Sequence, residues 1–424
     1  MNKELTHLLS LALAVALFFA CGAVPALAAD TSVTDQITVA VPEGDYVAFM
    51  NNVAVPKFNE KFPNVTVQVI SDKEIDTQIA AGNVPNVYTG GFGSRGMRYA
   101  QSGVLVPLNG FEGFDELFAR LDENYIVNFA DYNFYVPWNL TTTMMVYNKE
   151  LFTQAGLDPE TPPKTFDEFL AAAKAIDDLG PEIYGTGFWN EALTWGGWYW
   201  DMLAPIYYNF NGGQYQLMND MGTDIVFDKP EAKMKEFMEF LKTAQSYGPP
   251  TTNDINSFFK RNVGMWLQFG YGWKANLKGA ADRPMEVGQD IGIAPIPVVA
   301  EGDTAYSTLG GIGLIIFKSD DRKQQLSWEF IKVLMEDELN LEACKLLGQL
   351  PSLISLQDNE YFEQPSEQPF VNQTKTALQP EPFAEADTIA NKVLGAIQAI
   401  VVDGSADMDA TLAQLATDAR AEIK

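Results

Sequence analysis

Residues 36–71 have the sequence QITVAVPEGDYVAFMNNVAVPKFNEKFPNVTVQVIS, and this stretch decides the predicted fold class. Its two ends, 36–41 and 66–71, alternate apolar and polar side chains as half-buried strands do, and a segment of helical length separates them. Pro56 interrupts that segment, so we expect the helix to be kinked or split there. The pattern predicts a β-α-β unit, which is typical of an open α/β sheet with a ligand crevice at the carboxyl ends of its strands.

Amphipathic helices farther along the chain support an α/β fold. The clearest is predicted in TFDEFLAAAKAIDDLGP, where Thr165 and Glu168 form a capping box. A second is predicted in LSWEFIKVLM, which contains Trp328, and two more lie around Val393 and Leu412. The sequence has no internal repeat and no low-complexity linker. We therefore expect two lobes joined by several chain crossings, not two domains in series.

The composition excludes several classes of function. Of 424 residues, 28 are Lys or Arg and 56 are Asp or Glu, so the formal net charge is -28. A surface this acidic repels phosphate groups, and we expect no nucleic-acid binding. The only histidine, His7, lies in a predicted signal peptide. The mature protein therefore has no imidazole for nucleophilic catalysis, for a general base or for zinc binding.

The N-terminus has the pattern of an export signal. The apolar run LLSLALAVALFFA occupies 8–20 and is too short to span a bilayer, so residues 1–29 are predicted to be a signal peptide. Cleavage near Ala28 or Ala29 and lipidation of Cys21 both stay open, because Cys21 directly follows the run but the phenylalanines before it fit a lipobox poorly. We expect a periplasmic or cell-surface protein in which Cys344 has no disulfide partner.

Tryptophan and amide side chains recur together in three stretches of the chain. Flat ring faces pack against the C–H face of a sugar, while amides and carboxylates bond its hydroxyls. Glycines break regular structure within two of the stretches. For any one tryptophan, burial in a core is the alternative, but three such clusters favour a binding surface. The cluster members are Trp195 and Trp198 in WNEALTWGGWYW, then Trp266, Gln268 and Trp273, and finally Trp138 and Asn139.

Short motifs typical of enzymes are present only in fragments. Residues 91–96 match G-x-G-x-x-G but do not open the first β-α unit. Residues 257–260 match the S-x-x-K motif of penicillin-recognising enzymes without its companion motifs. The acids near Asp224 lack the spacing of a calcium loop, so we expect neither metal nor cofactor. A carboxylate pair for glycoside hydrolysis stays open, because sequence spacing cannot define one.

The stretch PWNLTTTMMVYNKELFTQAGLDPETPPKTFDEF (137–169) resembles the most characteristic region of the extracellular solute-binding proteins of family 1, the sugar-binding receptors of ABC importers. The resemblance extends to AAGNVPNVYTGG, the Phe-rich segment ending in GMW, IGIAPIPV, STLGGIGLIIF and GQLPS, and so covers nearly all of the mature chain. It implies a two-lobe, type II periplasmic-binding-protein-like α/β fold with the ligand cleft between the lobes. It also implies no catalysis, and delivery of the ligand to the permease subunits of an ABC transporter.

The resemblance also implies domain boundaries. Lobe I would comprise 30–141 and 313–345, and lobe II would comprise 147–307 and 350–424. The chain would cross between the lobes near 141–147, 307–314 and 345–351.

Carried over by position, the resemblance predicts a set of ligand-binding residues. In the place where the family's first strand often ends in an aromatic or polar residue, this chain continues into Pro42-Glu43-Gly44-Asp45-Tyr46, and which of these faces the ligand stays open. Either Arg95 or Arg98, if turned inward, would favour an acidic sugar over a neutral one. The predicted ligand-binding residues are Glu43, Asp45, Gly91, Phe92, Trp138, Asn139, Trp195, Trp198, Trp266, Gln268, Trp273, Gly310 and Gly311.

The sequence thus predicts an exported, monomeric, non-enzymatic receptor that binds a mono- or oligosaccharide in an aromatic-lined cleft between two lobes. A secreted carbohydrate-active enzyme is the alternative from another class. A receptor for a non-sugar polar solute is the alternative within the same class.

Overall fold

The computed structural model describes residues 32–90, 94–129, 131–187, 199–250, 256–270 and 283–423. Across these ranges, no helix combines the length and the apolar character needed to cross a membrane. The strands are β1 Asp35–Val41, β2 Val65–Ser71, β3 Val87–Thr89, β4 Tyr135–Thr141, β5 Met144–Asn148, β6 Tyr184–Gly187, β7 Val263–Phe269, β8 Ile291–Ala294, β9 Ser307–Thr308, β10 Gly310–Ile316, β11 Leu350–Pro351 and β12 Ala377–Leu378. The α-helices are α1 Asp45–Phe49, α2 Val55–Lys61, α3 Ile75–Ala80, α4 Ser94–Gln101, α5 Phe114–Phe118, α6 Lys149–Gln154, α7 Phe166–Asp177, α8 Ala204–Asn211, α9 Met234–Gln245, α10 Asn256–Phe259, α11 Asp321–Leu334, α12 Asp337–Leu347, α13 Ile354–Gln357, α14 Gln368–Gln373, α15 Ala386–Ile397 and α16 Met408–Glu422.

The chain divides into two compact units. Unit 1 contains the chain up to Leu140 together with Gly311–Asn359, and unit 2 contains Thr141–Gly310 together with the chain from Glu360 onward. The third change of unit follows Asn359, downstream of the predicted crossing at 345–351. The reason is that β11 pairs with β4, and Leu353 and Leu356 pack in the core of unit 1.

Unit 1 is built on a mixed sheet with the strand order β11-β4-β10-β3-β1-β2. β1 is parallel to both β2 and β3, and β10 is antiparallel to β3. The predicted β-α-β unit is confirmed, because β1 and β2 pair in parallel across an intervening helical segment. Apolar side chains of β1, β4 and β10 share one hydrophobic core with those of α11 and α12.

The helical segment between β1 and β2 is interrupted, as Pro56 predicts. A π-helical turn, Met50–Ala54, separates α1 from α2, and the Val55 N–H bonds the Met50 carbonyl across five residues. Pro56 then lies in the first turn of α2, where a missing N–H is tolerated. The helical hydrogen-bond pattern therefore changes before the proline, in the wider π-helical turn.

Unit 2 contains a four-stranded sheet with the order β6-β7-β5-β8. The predicted capping box of α7 is confirmed: the Glu168 N–H donates to Thr165 Oγ1 at 3.2 Å, and the Thr165 N–H donates to Glu168 Oε2 at 3.2 Å. β6 approaches α7 so closely that a Cβ on Gly185 would lie 1.9 Å from the Ala173 carbonyl oxygen. The predicted C-terminal helices correspond to α15 and α16.

Candidate functional site

The candidate site lies in unit 1, at the sheet edge where β1, β2 and β3 end. Because the three strands are parallel, their carboxyl ends share one edge of the sheet. Open α/β sheets bind ligands at this edge. Polar side chains are concentrated there, and we call this group the polar edge. It consists of Glu43, Asp45, Ser71, Asp72, Tyr88 and Arg95.

A chain of hydrogen bonds fixes the central members of the polar edge. Arg95 Nη1 donates to the Tyr88 hydroxyl at 2.9 Å, and that hydroxyl donates to Asp72 Oδ2 at 3.4 Å. The Asp72 backbone N–H donates to the carbonyl of Val41 at 2.8 Å, which ties the acid to the end of β1. The Tyr88 ring is fully buried and requires glycine at Gly90, where a Cβ would lie 2.1 Å from the ring. The carboxyl and guanidinium groups are therefore held at defined positions.

The electrostatics of the polar edge favour hydrogen bonding to hydroxyl groups. Burial raises the pKa of the Asp72 carboxyl, and the positive charge of Arg95 opposes this rise only in part. Burial also raises the pKa of Tyr88, so its hydroxyl stays a donor at neutral pH. Glu43 and Asp45 are exposed, and Glu43 Oε1 accepts a hydrogen bond from Ser71 Oγ at 3.0 Å. The edge thus combines several carboxylate acceptors with one guanidinium donor.

The two arginines of α4, Arg95 and Arg98, contact different partners. Arg95 bonds the Tyr88 hydroxyl within the polar edge. Arg98 is exposed and pairs instead with Asp76, at 3.8 Å between Nη2 and Oδ1. Only Arg95 therefore contributes to the polar edge, and its charge stands beside that of Asp72.

Trp138 and Asn139 occupy the core of unit 1. Trp138 has no exposed surface, and its ring packs against the rings of Tyr46 and Phe49 at centroid distances of 6.3 and 6.0 Å. Asn139 is equally buried, with Nδ2 3.8 Å from Cys344 Sγ. In this structure neither side chain has exposed surface, so their place in a ligand site stays a prediction. The physical reason is that β4 is an interior strand of the sheet, with both of its faces covered.

Gly310 and Gly311 are explained by close contact between chain segments. A Cβ on Gly311 would lie 2.2 Å from the Asn139 carbonyl oxygen, and the Gly311 φ of 149° is one that other residues rarely adopt. A Cβ on Gly310 would lie 2.7 Å from Thr141 Cγ2. The approach of β10 to β4 therefore requires these glycines whether or not a ligand is bound.

The remaining predicted site residues fall in unit 2 or outside the described residues. Trp266 and Gln268 lie on β7 and are 1% and 3% exposed. The ring of Trp266 closes over Gly187, where a Cβ would be 2.8 Å from it. The residues outside the described ranges are Gly91, Phe92, Trp195, Trp198, Trp273 and the alternative lipidation residue Cys21.

Sequence reasoning did not place Asp72, Tyr88 or Asp201 among the candidate site residues. Asp72 directly follows β2. The sequence feature that indicates it is therefore an acidic residue at the end of the second predicted strand. Asp201 follows the tryptophan-rich stretch in unit 2, and burial together with the negative charge of Asp387 raises its pKa to about 6. Its carbonyl accepts a hydrogen bond from Thr143 Oγ1 at 2.6 Å. An acid directly after the aromatic cluster was the signal for Asp201.

The acid-rich turn near Asp224 is joined to the C-terminal helix. Arg420 donates from Nε to Asp224 Oδ1 at 2.9 Å and from Nη2 to Asp228 Oδ2 at 2.6 Å. Among the described residues, no group of three or more His, Cys, Asp or Glu side chains could hold a metal ion. These acids therefore stabilise the contact between the turn and α16.

Comparison with known proteins gives a family match and several relatives. The family described as bacterial extracellular solute-binding protein matches residues 41–340. The chain is similar to the diacetylchitobiose binding protein DasA of Streptomyces coelicolor, with 24% identity over 296 residues that span 68% of this chain and 65% of that protein. It is also similar to the sn-glycerol-3-phosphate-binding periplasmic protein UgpB of Escherichia coli K12, with 26% identity over 51% of this chain and 48% of that protein. The matched part thus covers between about half and two thirds of these curated relatives.

Solved structures resemble the whole described fold. The cyclic alpha-maltosyl-1,6-maltose binding protein of Arthrobacter globiformis has a TM-score of 0.75 at 22% identity, covering 92% of this chain and 100% of that one. The GacH receptor of Streptomyces glaucescens has a TM-score of 0.74 at 19% identity, covering 92% and 99%. These likenesses confirm the predicted fold class, a two-lobe α/β fold of the periplasmic-binding-protein type.

Proposed function

Because the chain belongs to the family of bacterial extracellular solute-binding proteins, we propose that it is the receptor of an ABC importer. In this proposal it binds a carbohydrate and delivers it, chemically unchanged, to the permease subunits. The names of two proteins that it resembles support a carbohydrate ligand, since one binds diacetylchitobiose and another a cyclic maltosyl-maltose. Export directed by residues 1–29, with or without a lipid on Cys21, belongs to the same proposal.

The observation that carries the proposal is the polar edge of unit 1. A sugar hydroxyl both donates and accepts hydrogen bonds, so its binding site needs acceptors and donors side by side. The polar edge offers the Asp72 carboxylate beside the Arg95 guanidinium, each connected to the Tyr88 hydroxyl. The exposed carboxylates of Glu43 and Asp45 add further acceptors.

The balance of charge at the polar edge favours a neutral sugar over an anionic solute. The polar edge contains one arginine and three carboxyl groups, those of Glu43, Asp45 and Asp72. The whole chain has a net charge of -28. The negative electrostatic potential of these groups would repel a phosphate or uronate group. We therefore place neutral saccharides ahead of a phosphate-bearing solute such as the one for which UgpB is named.

A thermal-shift screen tests the proposal. Neutral mono- and oligosaccharides, uronic acids and sn-glycerol 3-phosphate would be compared on the mature protein. A ligand at one hundred times its dissociation constant stabilises a protein by about 2.7 kcal/mol, which raises the melting temperature clearly. We expect a neutral saccharide to give the largest rise. A rise with the phosphate ester and none with any sugar would contradict the proposal.

Affinity for the sugar is expected to fall at acidic pH because of Asp72. Lowering the pH through its raised pKa replaces a carboxylate acceptor with a neutral acid. Asp72→Asn should remove this pH dependence and weaken binding at pH 7 by about tenfold or more, since a hydrogen bond to a charged group contributes about 1.5 to 3 kcal/mol. Titration calorimetry between pH 4.5 and 7.5 measures both effects. Asp115→Asn, at an exposed position of unit 1, is the control. An equal pH dependence in wild type and Asp72→Asn would refute this role for Asp72.

The tryptophans of the predicted aromatic clusters provide a separate prediction. Trp198→Ala and Trp273→Ala are each expected to weaken sugar binding by about 2 kcal/mol, or about thirtyfold, because a ring that stacks on a sugar is lost. The melting temperature should change little if these rings line a surface. Calorimetry and thermal melts on both variants measure the two quantities. Early unfolding combined with normal affinity would instead assign both rings to a core.

A further inference from the structure

A carboxyl group is enclosed in unit 2 at Glu381, between Pro380 and Pro382 in the sequence. Only 4% of the residue is exposed. Its Oε1 accepts a hydrogen bond from the backbone N–H of Met218. Its Oε2 has no hydrogen-bond partner within the part of the chain that the structure describes. An ionised carboxylate here would keep one oxygen desolvated and unbonded, which is strongly unfavourable.

Three buried tyrosines of unit 2 interact with this carboxyl. Tyr199 lies on the π-helical turn Tyr199–Leu203, and Tyr207 and Tyr208 lie on α8. All three rings are fully buried, and each interacts electrostatically with Glu381. Tyrosines are neutral at ordinary pH, so they cannot compensate a buried negative charge.

The charged groups on the surrounding elements do not compensate it either. Asp201, on the same π-helical turn, is itself an acid and interacts with Asp387 on α15. Arg420 on α16 forms its salt bridges with Asp224 and Asp228. Within the described ranges, the ion pairs of unit 2 leave the buried carboxyl without a basic partner.

We propose that Glu381 is a proton-binding site: the folded protein holds its carboxyl in the neutral, protonated form at neutral pH, and release of the proton weakens unit 2. A neutral acid needs no cation to balance it, and burying it costs far less free energy than burying an ionised carboxylate. Burial supports this assignment, because it raises the pKa of Glu381 to about 8 against the opposing effect of the backbone N–H groups of Met218 and Leu217.

The direction of the pH effect follows from the two protonation equilibria. In the unfolded chain a glutamate titrates near pH 4.3, whereas in the folded protein the pKa of Glu381 is about 8. Between these values the folded protein binds more protons than the unfolded chain. The stability that the proton provides is therefore complete below the lower pH and is lost progressively as the pH rises to about 8.

Glu381→Gln tests the proposal, because the amide has nearly the shape of the acid and does not titrate. We expect the ratio of unfolding equilibrium constants, wild type over variant, to rise by up to about tenfold per pH unit between pH 5 and 8 and to level off above pH 9. Guanidinium unfolding followed by tryptophan fluorescence measures this ratio. The signal is weighted to unit 2, because six of the eight tryptophans lie in Thr141–Gly310. The exposed Glu363→Gln is the matched control, and its ratio should stay flat. A ratio for Glu381→Gln as flat as that of the control would overturn the proposal.

Infrared difference spectroscopy on the wild-type protein gives a second test that needs no stable variant. The C=O stretch of a protonated carboxylic acid is expected at pH 7 and should disappear as the pH rises past about 8 to 9. Folded protein without a protonated-acid band at pH 7 to 7.5, above the pKa of about 6 of Asp201, would overturn the proposal even if Glu381→Gln failed to fold.

Discussion

Replacing Trp328 by alanine is expected to lower the free energy of unfolding by about 3 to 5 kcal/mol. Trp328 is 2% exposed on α11, and its ring stacks on Phe111 with 5.3 Å between centroids and 21° between planes. Its Nε1 donates to the carbonyl of Glu112 at 2.9 Å. The substitution therefore removes a large apolar volume and a buried hydrogen bond together. Denaturation followed by circular dichroism measures the loss.

The control for Trp328→Ala is Leu346→Ala, at a position that is 55% exposed in the same unit. An exposed leucine leaves no cavity, so its removal should change stability by no more than about 0.5 kcal/mol. The affinity of the folded protein for sugar should be the same in both variants as in the wild type. Equal losses of stability in the two variants, or a selective loss of affinity in Trp328→Ala, would contradict the assignment of Trp328 to the core.

Gly311→Ala is expected to destabilise the protein by about 3 kcal/mol or more. The added Cβ would lie 2.2 Å from the Asn139 carbonyl oxygen, which is backbone and cannot rotate away. The φ of 149° adds strain for any residue with a side chain. A strained backbone conformation and overpacking each cost about 1 to 3 kcal/mol. Thermal and chemical denaturation measure the sum.

Gly395→Ala is the matched control for Gly311→Ala. Gly395 lies inside α15, and a Cβ there would meet no atom within 4 Å. Alanine is favoured over glycine in a helix interior by about 0.5 to 1 kcal/mol, so this variant should gain stability. If both variants were neutral, the contact between β10 and β4 would not be what requires glycine at residue 311.

The parts of the fold that depend on local pattern could be predicted from the sequence. The β-α-β unit follows from two alternating runs, and the capping box of α7 follows from Thr165 and Glu168 three residues apart. Both are short-range features, and the structure contains both. The long stretch at 137–169 carried the family resemblance, and the matching family confirms it.

The identity of the site residues depended on contacts that sequence spacing does not encode. Trp138 and Trp328 are both buried, although one stands in an aromatic-plus-amide cluster and the other in a regular helix. The cluster did not reveal that β4 is an interior strand. Asp72, Tyr88 and Arg95 come from three separate elements, and only the parallel pairing of β1, β2 and β3 brings these elements to one sheet edge.

Carbohydrate binding without turnover can be measured in one experiment, equilibrium dialysis of the mature protein against the best saccharide from the thermal screen, followed by chromatography of the recovered sugar. We predict retention of about one saccharide per protein molecule, with the sugar recovered unchanged and in full. The absence of any retained saccharide would contradict the proposed receptor. Cleaved or modified sugar in more than stoichiometric amount would instead identify a carbohydrate-active enzyme.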